Sequence, residues 1–277
     1  MIRERAFAKL NLVLRVGPPS PGGMHPLASL FASIDLADEI EIRGAGGGDD
    51  VVVCERVAGE NLAARALSAF REQVPNAGLP SLHVTIYKRI PVAAGLGGGS
   101  ADAAAVLRAA NRLAGGPVDA DALRAIAAPL GSDVPSQVEP AHALVTGTGE
   151  RVEPVPLGPL AVVLVPAAEG LSTADVYAEF DRLGLGRGEL GPDELRELAH
   201  AADAGALIAA AENDLQTATL SLRPELEQTL DALAAAGAAA TIVAGSGPTC
   251  AGLFGDLGSA QTAHSRLDGS LVAVVRS

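Results

Sequence analysis

Residues 91–106 read PVAAGLGGGSADAAAV, a glycine cluster that runs into an alanine-rich segment. Gly95, Gly97, Gly98 and Gly99 let backbone N–H groups turn inward and approach a ligand closely. A helix opening just after them would present unpaired N–H groups and the positive end of its dipole. Phosphate is the natural guest of such a cradle. Ser100 stands where it could cap the helix and reach a phosphate or a magnesium ion. No Lys follows the glycines, so this is not a P-loop, and no acidic residue closes a strand about 20 residues on, as a dinucleotide fingerprint needs. The plainer alternative is a turn before a helix that holds nothing.

Four other places carry polar chemistry. Lys9 and Asn11 stand two apart in AFAKLNLVLRV, and so share one face of a strand, either the wet side of a sheet or a site. GSDVP at 131–135 puts Asp133 before a Val-Pro, where the plain role is a helix N-cap. AGSGPTC at 244–250 joins two apolar runs, as a simple turn or as a second backbone cradle near the first. Of the histidines, only His25 lies in a Gly/Pro-dense loop suited to binding, and none forms a metal pair. All but two of the 20 basic residues are Arg. Lys9 and Lys88 therefore mark places that want a compact ammonium rather than a planar fork, or they survive by chance.

These residues need elements to position them. The periodicity predicts strands at 6–16, 51–57 and 82–90, with further short elements in LASLFASIDL and DEIEIRG. It predicts helices at 61–74, about 100–113 and 119–129, and a short one opened by GSDVP. HALVTG and ERVEPVP close the first half. The second half has an apolar strand at 160–166, helical patterns at 173–182, 192–211, 222–236 and 258–267, and strands at 240–245, 250–254 and 271–275. RLGLGRGELGP at 182–192 reads as a surface loop. Strands and helices are interspersed, so the class is mixed. The proline-rich EPVPLGP separates residues 1–156 from 157–277.

Composition narrows the function classes. A chain of 277 residues with 48% apolar content builds a real core and is not disordered. Aromatics make up 3%, with no Trp, which leaves little for stacking on single-stranded nucleic acid. A net charge of −13 repels polyanions and anionic membranes, while a small anion remains possible at a local positive site. Cys54 and Cys250 form no metal motif and fit a reduced cytoplasmic setting. The N-terminus lacks the apolar run of a signal peptide, and no apolar stretch reaches the ~18 residues of a membrane span.

The order of these pieces resembles the GHMP kinase superfamily of small-molecule kinases: a Lys in an early strand, P-x-x-x-GLGGGSADAA from Pro91, and GSGP near the C-terminus. Further stretches, GGMHPLASLFASIDLAD, GSDVP, TGTGE, GLSTADVY and NDL, are similar to the branch that phosphorylates the 2-hydroxyl of a cytidine-diphosphate sugar alcohol. That branch works in the methylerythritol phosphate route to isoprenoids. The resemblance implies an α+β fold of two domains, ribosomal-protein-S5-like then ferredoxin-like, with the active site in the cleft between them. It implies ATP as donor, with Mg²⁺ bridging its phosphates and few protein ligands. It assigns Asp133 as the base and Lys9 as its charged partner. Pro91, Gly95, Gly97, Gly98, Gly99 and Ser100, with Gly245, Ser246 and Gly247, would hold the phosphates. Asn61 and Lys88 would lie near the adenine. Asn11, Met24, His25, Thr173 and Tyr177 would take the cytidine substrate. One departure stands out: the usual G-Y-H is G-M-H here, so Met24 replaces an aromatic. A kinase of the superfamily with another alcohol substrate, or a silent nucleotide-binding homologue, would keep most of the same motifs.

Overall fold

The computed structural model describes residues 1–55, 57, 61–201 and 203–276. Arg56, in the predicted strand at 51–57, and Ala202, in the predicted helix at 192–211, lie outside the described residues. The chain forms two compact units that interleave along the sequence. One comprises Met1–Ala8, Leu36–Val92 and Gly97–Pro140; the other comprises Lys9–Asp35, Ala93–Leu96 and Ala141–Ser277. The strands β1 (Ile2–Val16) and β2 (Leu27–Gly44) each contribute to both.

Strand β2 corrects an expectation. LASLFASIDL and DEIEIRG are one strand of 18 residues, not two short elements. The polar break at Asp38 does not end it, because Asp38 is fully buried and its Oδ1 accepts from Arg89 N (2.6 Å) and Ile90 N (2.8 Å).

In the first unit, β3 (Val51–Cys54) leads through α1 (Leu62–Gln73) to β4 (Leu82–Tyr87). β4 pairs antiparallel with the end of β2, Ile86 opposite Ile40, and parallel with β3, Val84 opposite Val52. Helix α2 (Gly98–Leu113) follows, then α3 (Ala120–Ala127) and 3₁₀ turns at Ala128–Leu130 and Pro135–Gln137. Ala63, Ala66, Leu67 and Phe70 make the buried stripe of α1 at helical spacing. They pack with Ala101, Ala104, Ala105 and Leu107 of α2 in one apolar core. Alanine on α2 supplies helix propensity and a thin surface, so the bulk of Phe70 has room.

In the second unit, β5 (Ala143–Gly147) pairs with the start of β2 and with β6 (Arg151–Pro154). β7 (Ala161–Val165) and α4 (Thr173–Leu183) come next. The predicted helix at 192–211 is two, α5 (Pro192–Ala201) and α6 (Ala204–Ala209), because Asp203 caps the second through Gly205 N. β8 (Glu212–Asn213) pairs with β1, and α7 (Gln216–Leu222) precedes α8 (Leu226–Ala235); neither β8 nor α7 has a sequence signal of its own. β9 (Ala240–Val243), β10 (Cys250–Phe254), α9 (Leu257–His264) and β11 (Leu271–Val274) complete a four-stranded antiparallel sheet in the order β11-β7-β10-β9. Leu226, Leu230 and Leu233 of α8 and Ala260 and Ala263 of α9 bury against it, the helix-on-sheet layering expected of a ferredoxin-like half. Among the described residues no helix is long and apolar enough to cross a membrane.

The 182–192 segment is more than a surface loop. Arg187 N donates to Val16 O (2.9 Å), and the Arg187 guanidinium pairs with Glu212 and Asp214, which ties the segment to β1 and β8.

Candidate active site

Helix α2 starts earlier than its sequence indicates. Its N-cap is Gly97, in the left-handed region at φ 68°, and no side chain caps the first turn. Ser100 is therefore a residue of the helix, which corrects the capping role expected for it. The first-turn N–H groups are left for an outside acceptor. A Cβ on Gly98 would stand 2.9 Å from Ile90 Cγ2 and 3.2 Å from Lys88 Nζ, so packing demands a glycine there. A Cβ on Gly99 would meet nothing within 4 Å, and Gly99 is exposed. The fold does not need that glycine. Pro91 is half-buried in the stretch that leads into the loop.

Gly95 belongs to the second unit and sits against the AGSGP turn. It has φ +76°, and a Cβ there would come within 2.0 Å of Ala244 O and 3.0 Å of Gly247 N. The two glycine-rich stretches thus meet at Gly95, and the AGSGP segment is not an isolated turn. Gly245 (φ +54°) faces Lys9 and Asn11: a Cβ there would lie 3.3 Å from Lys9 Nζ and 3.2 Å from Asn11 Oδ1. Gly247 precedes a cis proline, Pro248.

Lys9 and Asn11 are not on a wet face. They are 5% and 2% exposed, so the solvated alternative fails. Lys9 Nζ donates to Asn11 Oδ1 (2.6 Å) and lies 4.9 Å from the Phe31 ring centroid. Asn11 Nδ2 donates to Ser29 Oγ (2.9 Å), which donates to Val13 O (2.5 Å). The chain fixes the Asn11 amide so that its oxygen faces the ammonium.

From the turn the cluster continues to α4. Ser246 Oγ and Thr173 Oγ1 share a hydrogen bond of 2.9 Å. One turn on, the Tyr177 ring lies 4.8 Å from that of His25, tilted by 42°, with Phe180 edge-on at 5.9 Å. His25 is buried, Nδ1 donating to Gly17 O (2.9 Å) and Nε2 lying 3.4 Å from Asp181 Oδ2. Met24, beside it, is 54% exposed. The second unit therefore brings together Lys9, Asn11, Gly95, the 245–247 turn, Thr173, Tyr177 and His25.

The other expected residues lie in the first unit. Asn61 caps α1, its Oδ1 accepting from Ala64 N (2.8 Å). Asp133 is half-buried, and its carbonyl accepts from Ser136 Oγ (2.8 Å). The cap of the 3₁₀ turn at Pro135–Gln137 is Val134, not Asp133, which removes the plain capping role. Lys88 is buried between Asp38 Oδ2 (2.5 Å) and Asp102 Oδ2 (2.8 Å), so both carboxylates engage its ammonium. Burial opposes the Lys88 charge, but Asp102 and Asp38 outweigh it and raise its pKa.

Sequence reasoning missed several residues that hold these parts. Buried Asn213, in the NDL stretch, donates through Nδ2 to Val243 O and Gly245 O, each at 2.7 Å, and straps the turn in place. Ser29, Asp38 and Asp102 serve in the same way. Asp102, inside SADAA, carried a signal: an acidic residue in a run of buried alanines needs a partner.

Comparison with known proteins fits this geometry. Residues 61–139 match the GHMP kinases N terminal domain, and residues 195–272 match the GHMP kinases C terminal family. A 4-diphosphocytidyl-2-C-methyl-D-erythritol kinase of Streptomyces coelicolor is 44% identical, over 94% of this chain and 89% of its own length. The kinase of the same name from Mycolicibacterium smegmatis is 41% identical over 97% and 86%. A crystal structure of 4-(cytidine 5'-diphospho)-2C-methyl-D-erythritol kinase superposes over 100% of both chains, with a TM-score of 0.84 at 30% identity. Mevalonate kinase of L. major, solved with R-mevalonate, shares the fold, at TM-score 0.72 and 14% identity. With motifs, fold and full-length similarity in agreement, the chain belongs to the 4-diphosphocytidyl-2-C-methyl-D-erythritol kinase family of the GHMP kinases.

Proposed function

We propose that the chain phosphorylates the 2-hydroxyl of 4-diphosphocytidyl-2-C-methyl-D-erythritol from ATP, in the methylerythritol phosphate route to isoprenoid precursors. The observation that carries this reading is Lys9 Nζ, buried on Asn11 Oδ1 and backed by Gly245, beside the meeting point of two glycine-rich stretches. The relatives' shared name supports the choice of alcohol.

In this account Asp133 takes the proton of the 2-hydroxyl as its oxygen attacks the γ-phosphorus. The bond from that phosphorus to the departing ADP breaks in line with the attack. Lys9, held by Asn11, steadies the hydroxyl and the charge that develops on it. The α2 N-terminus and the 245–247 turn hold the phosphates, so positioning and charge neutralisation supply most of the rate. Asn61, with Lys88 as a buried strut, borders the adenine side. Met24, His25, Thr173 and Tyr177 take the cytidine end, His25 by a ring edge and Tyr177 by its face.

Mg²⁺ neutralises phosphate charge when bound. Ser100, in the first turn of α2, offers it an oxygen. Among the described residues no group of three or more His, Cys, Asp or Glu could cage a metal. We assign the chain to the cytoplasm, with a small-molecule substrate and no nucleic-acid or membrane partner. The two-domain division at 156/157 is retained as the family's organisation, one matched segment lying on each side.

Two variants test the mechanism. Asp133→Asn should cut kcat by two or more orders of magnitude while ATP still binds, because only the base is lost. Lys9→Arg should fail similarly despite keeping the charge, since a planar fork cannot occupy the site of a compact ammonium. Near wild-type turnover in Asp133→Asn counts against the assignment. A second reading, a different alcohol substrate, draws on Met24 alone.

A further inference from the structure

Asn213 and Asp214 stand side by side at the end of β8, where Leu14 of β1 lies opposite Asn213. Successive side chains of an extended chain point opposite ways, and these two reach different parts of the second unit. Asn213 is buried and fully satisfied: Nδ2 donates to Val243 O and Gly245 O, and Oδ1 accepts from Leu215 N (2.9 Å). The turn it holds is tight on Lys9. A Cβ on Gly245 would lie 3.3 Å from Lys9 Nζ and 3.2 Å from both Asn11 Oδ1 and Gly95 O, so a displaced turn alters where the ammonium sits.

Asp214 works on the other side. Its N–H donates to Leu14 O (2.9 Å), its Oδ2 accepts from Val16 N (2.9 Å), and both its oxygens accept from Arg187 Nε (2.8 and 2.7 Å). Arg187 N in turn donates to Val16 O, so Val16 is gripped at both backbone groups. The next residue, Gly17, accepts from His25 Nδ1. Gly17 and Gly186 cross with no space for a side chain: a Cβ on Gly17 would stand 2.8 Å from Pro26 Cγ, and one on Gly186 2.8 Å from Pro18 N. Gly186 follows α4, which carries Thr173 and Tyr177. The crossing sets how His25 meets Tyr177, and Asp214 fastens it.

We propose that Asn213 and Asp214 are positioning residues for opposite ends of the reaction: Asn213 sets the phosphate turn against Lys9, and Asp214 sets the His25–Tyr177 pair that takes the cytidine. This rests on the function proposed above. Neither residue touches a reacting atom; each acts through the backbone it holds. Removing the Asn213 amide leaves two buried carbonyls and the Leu215 N–H without partners, and the turn must move to recover them. Weakening Asp214 frees Val16 N and the Arg187 guanidinium, and with them the Gly17 carbonyl that orients His25. Two merely structural residues would lower stability and leave the two substrates equally affected.

Steady-state kinetics with each substrate varied in turn separates the two roles. Asn213→Ser keeps one donor for two carbonyls. It should raise the KM for ATP and lower kcat, each by about tenfold, with the KM for 4-diphosphocytidyl-2-C-methyl-D-erythritol within about twofold of wild type. Asp214→Asn keeps the size but only one acceptor oxygen. It should raise the KM for the cytidine substrate about tenfold and spare the KM for ATP. Any other pattern in these two variants overturns the inference and leaves the proposed function standing. A wild-type chain that does not turn over the cytidine substrate overturns both. Nitrogen-15 NMR of the wild-type chain makes the same test if a variant fails to fold. The Asn213 side-chain amide should shift on adding MgADP, and the Arg187 Nε–H on adding the cytidine substrate. Equal, reversed or absent responses refute the proposal.

Discussion

Met24 shows how a single position can be read from sequence and then sharpened by structure. It is half-exposed next to a His25 that is buried, packed against the tilted Tyr177 ring and fixed through Gly17 O. A tyrosine at 24 would add a ring beside this cluster, and an aromatic pair contributes about 0.5–1.5 kcal/mol beyond area. Met24→Tyr should therefore lower KM for the cytidine substrate about two- to tenfold and leave kcat and the ATP KM unchanged. Steady-state kinetics with each substrate varied in turn would show this, and a fall in kcat instead would place Met24 nearer the chemistry. Lys9 and Asn11 were legible as a pair because a strand's period of two puts them on one face. Their burial was not, since AFAKLNLVLRV does not say whether a second layer covers that face. Asp38 was invisible for a related reason: a polar residue satisfied by backbone N–H groups looks like a strand end.

Among the elements, the glycine-to-helix segment separates two uses of glycine. Gly95 is required by the fold, with φ +76° and the Ala244 carbonyl where a methyl would go. Gly99 is not, since a methyl there meets open space. Gly95→Ala should lower stability by several kcal/mol, a left-handed alanine alone costing on the order of 1–3 kcal/mol. Gly99→Ala should melt within a few degrees of wild type yet raise the KM for ATP several-fold. Thermal denaturation beside ATP titration checks both, and a Gly99→Ala protein with an unchanged ATP KM would deny that this turn meets the nucleotide. Sequence placed helix and loop correctly but set the start of α2 two residues late, because a left-handed glycine cap leaves no Ser or Asp signature. The polar capping signal inside 192–211 was present at Asp203, hidden by apolar periodicity on both sides.

Across the molecule, local signals identified strands and helices in both halves, including the four strands of the second half's antiparallel sheet but not their order. The interleaving of the two units was not legible, because it depends on β1 and β2 running on from one unit into the other, a long-range property of pairing. The candidate site draws on residues far apart in sequence, such as Lys9, Gly95, Asn213 and Gly245, which folding gathers in one unit. The central claim concerns which alcohol this assembly phosphorylates. ADP release coupled to a spectrophotometric readout, with ATP and Mg²⁺ and with 4-diphosphocytidyl-2-C-methyl-D-erythritol, mevalonate or homoserine as acceptor, tests it directly. The account predicts turnover with the cytidine compound and a rate at least a hundredfold lower, of order 2.7 kcal/mol in transition-state binding, with the other two. Turnover of mevalonate or homoserine without turnover of the cytidine compound would contradict it.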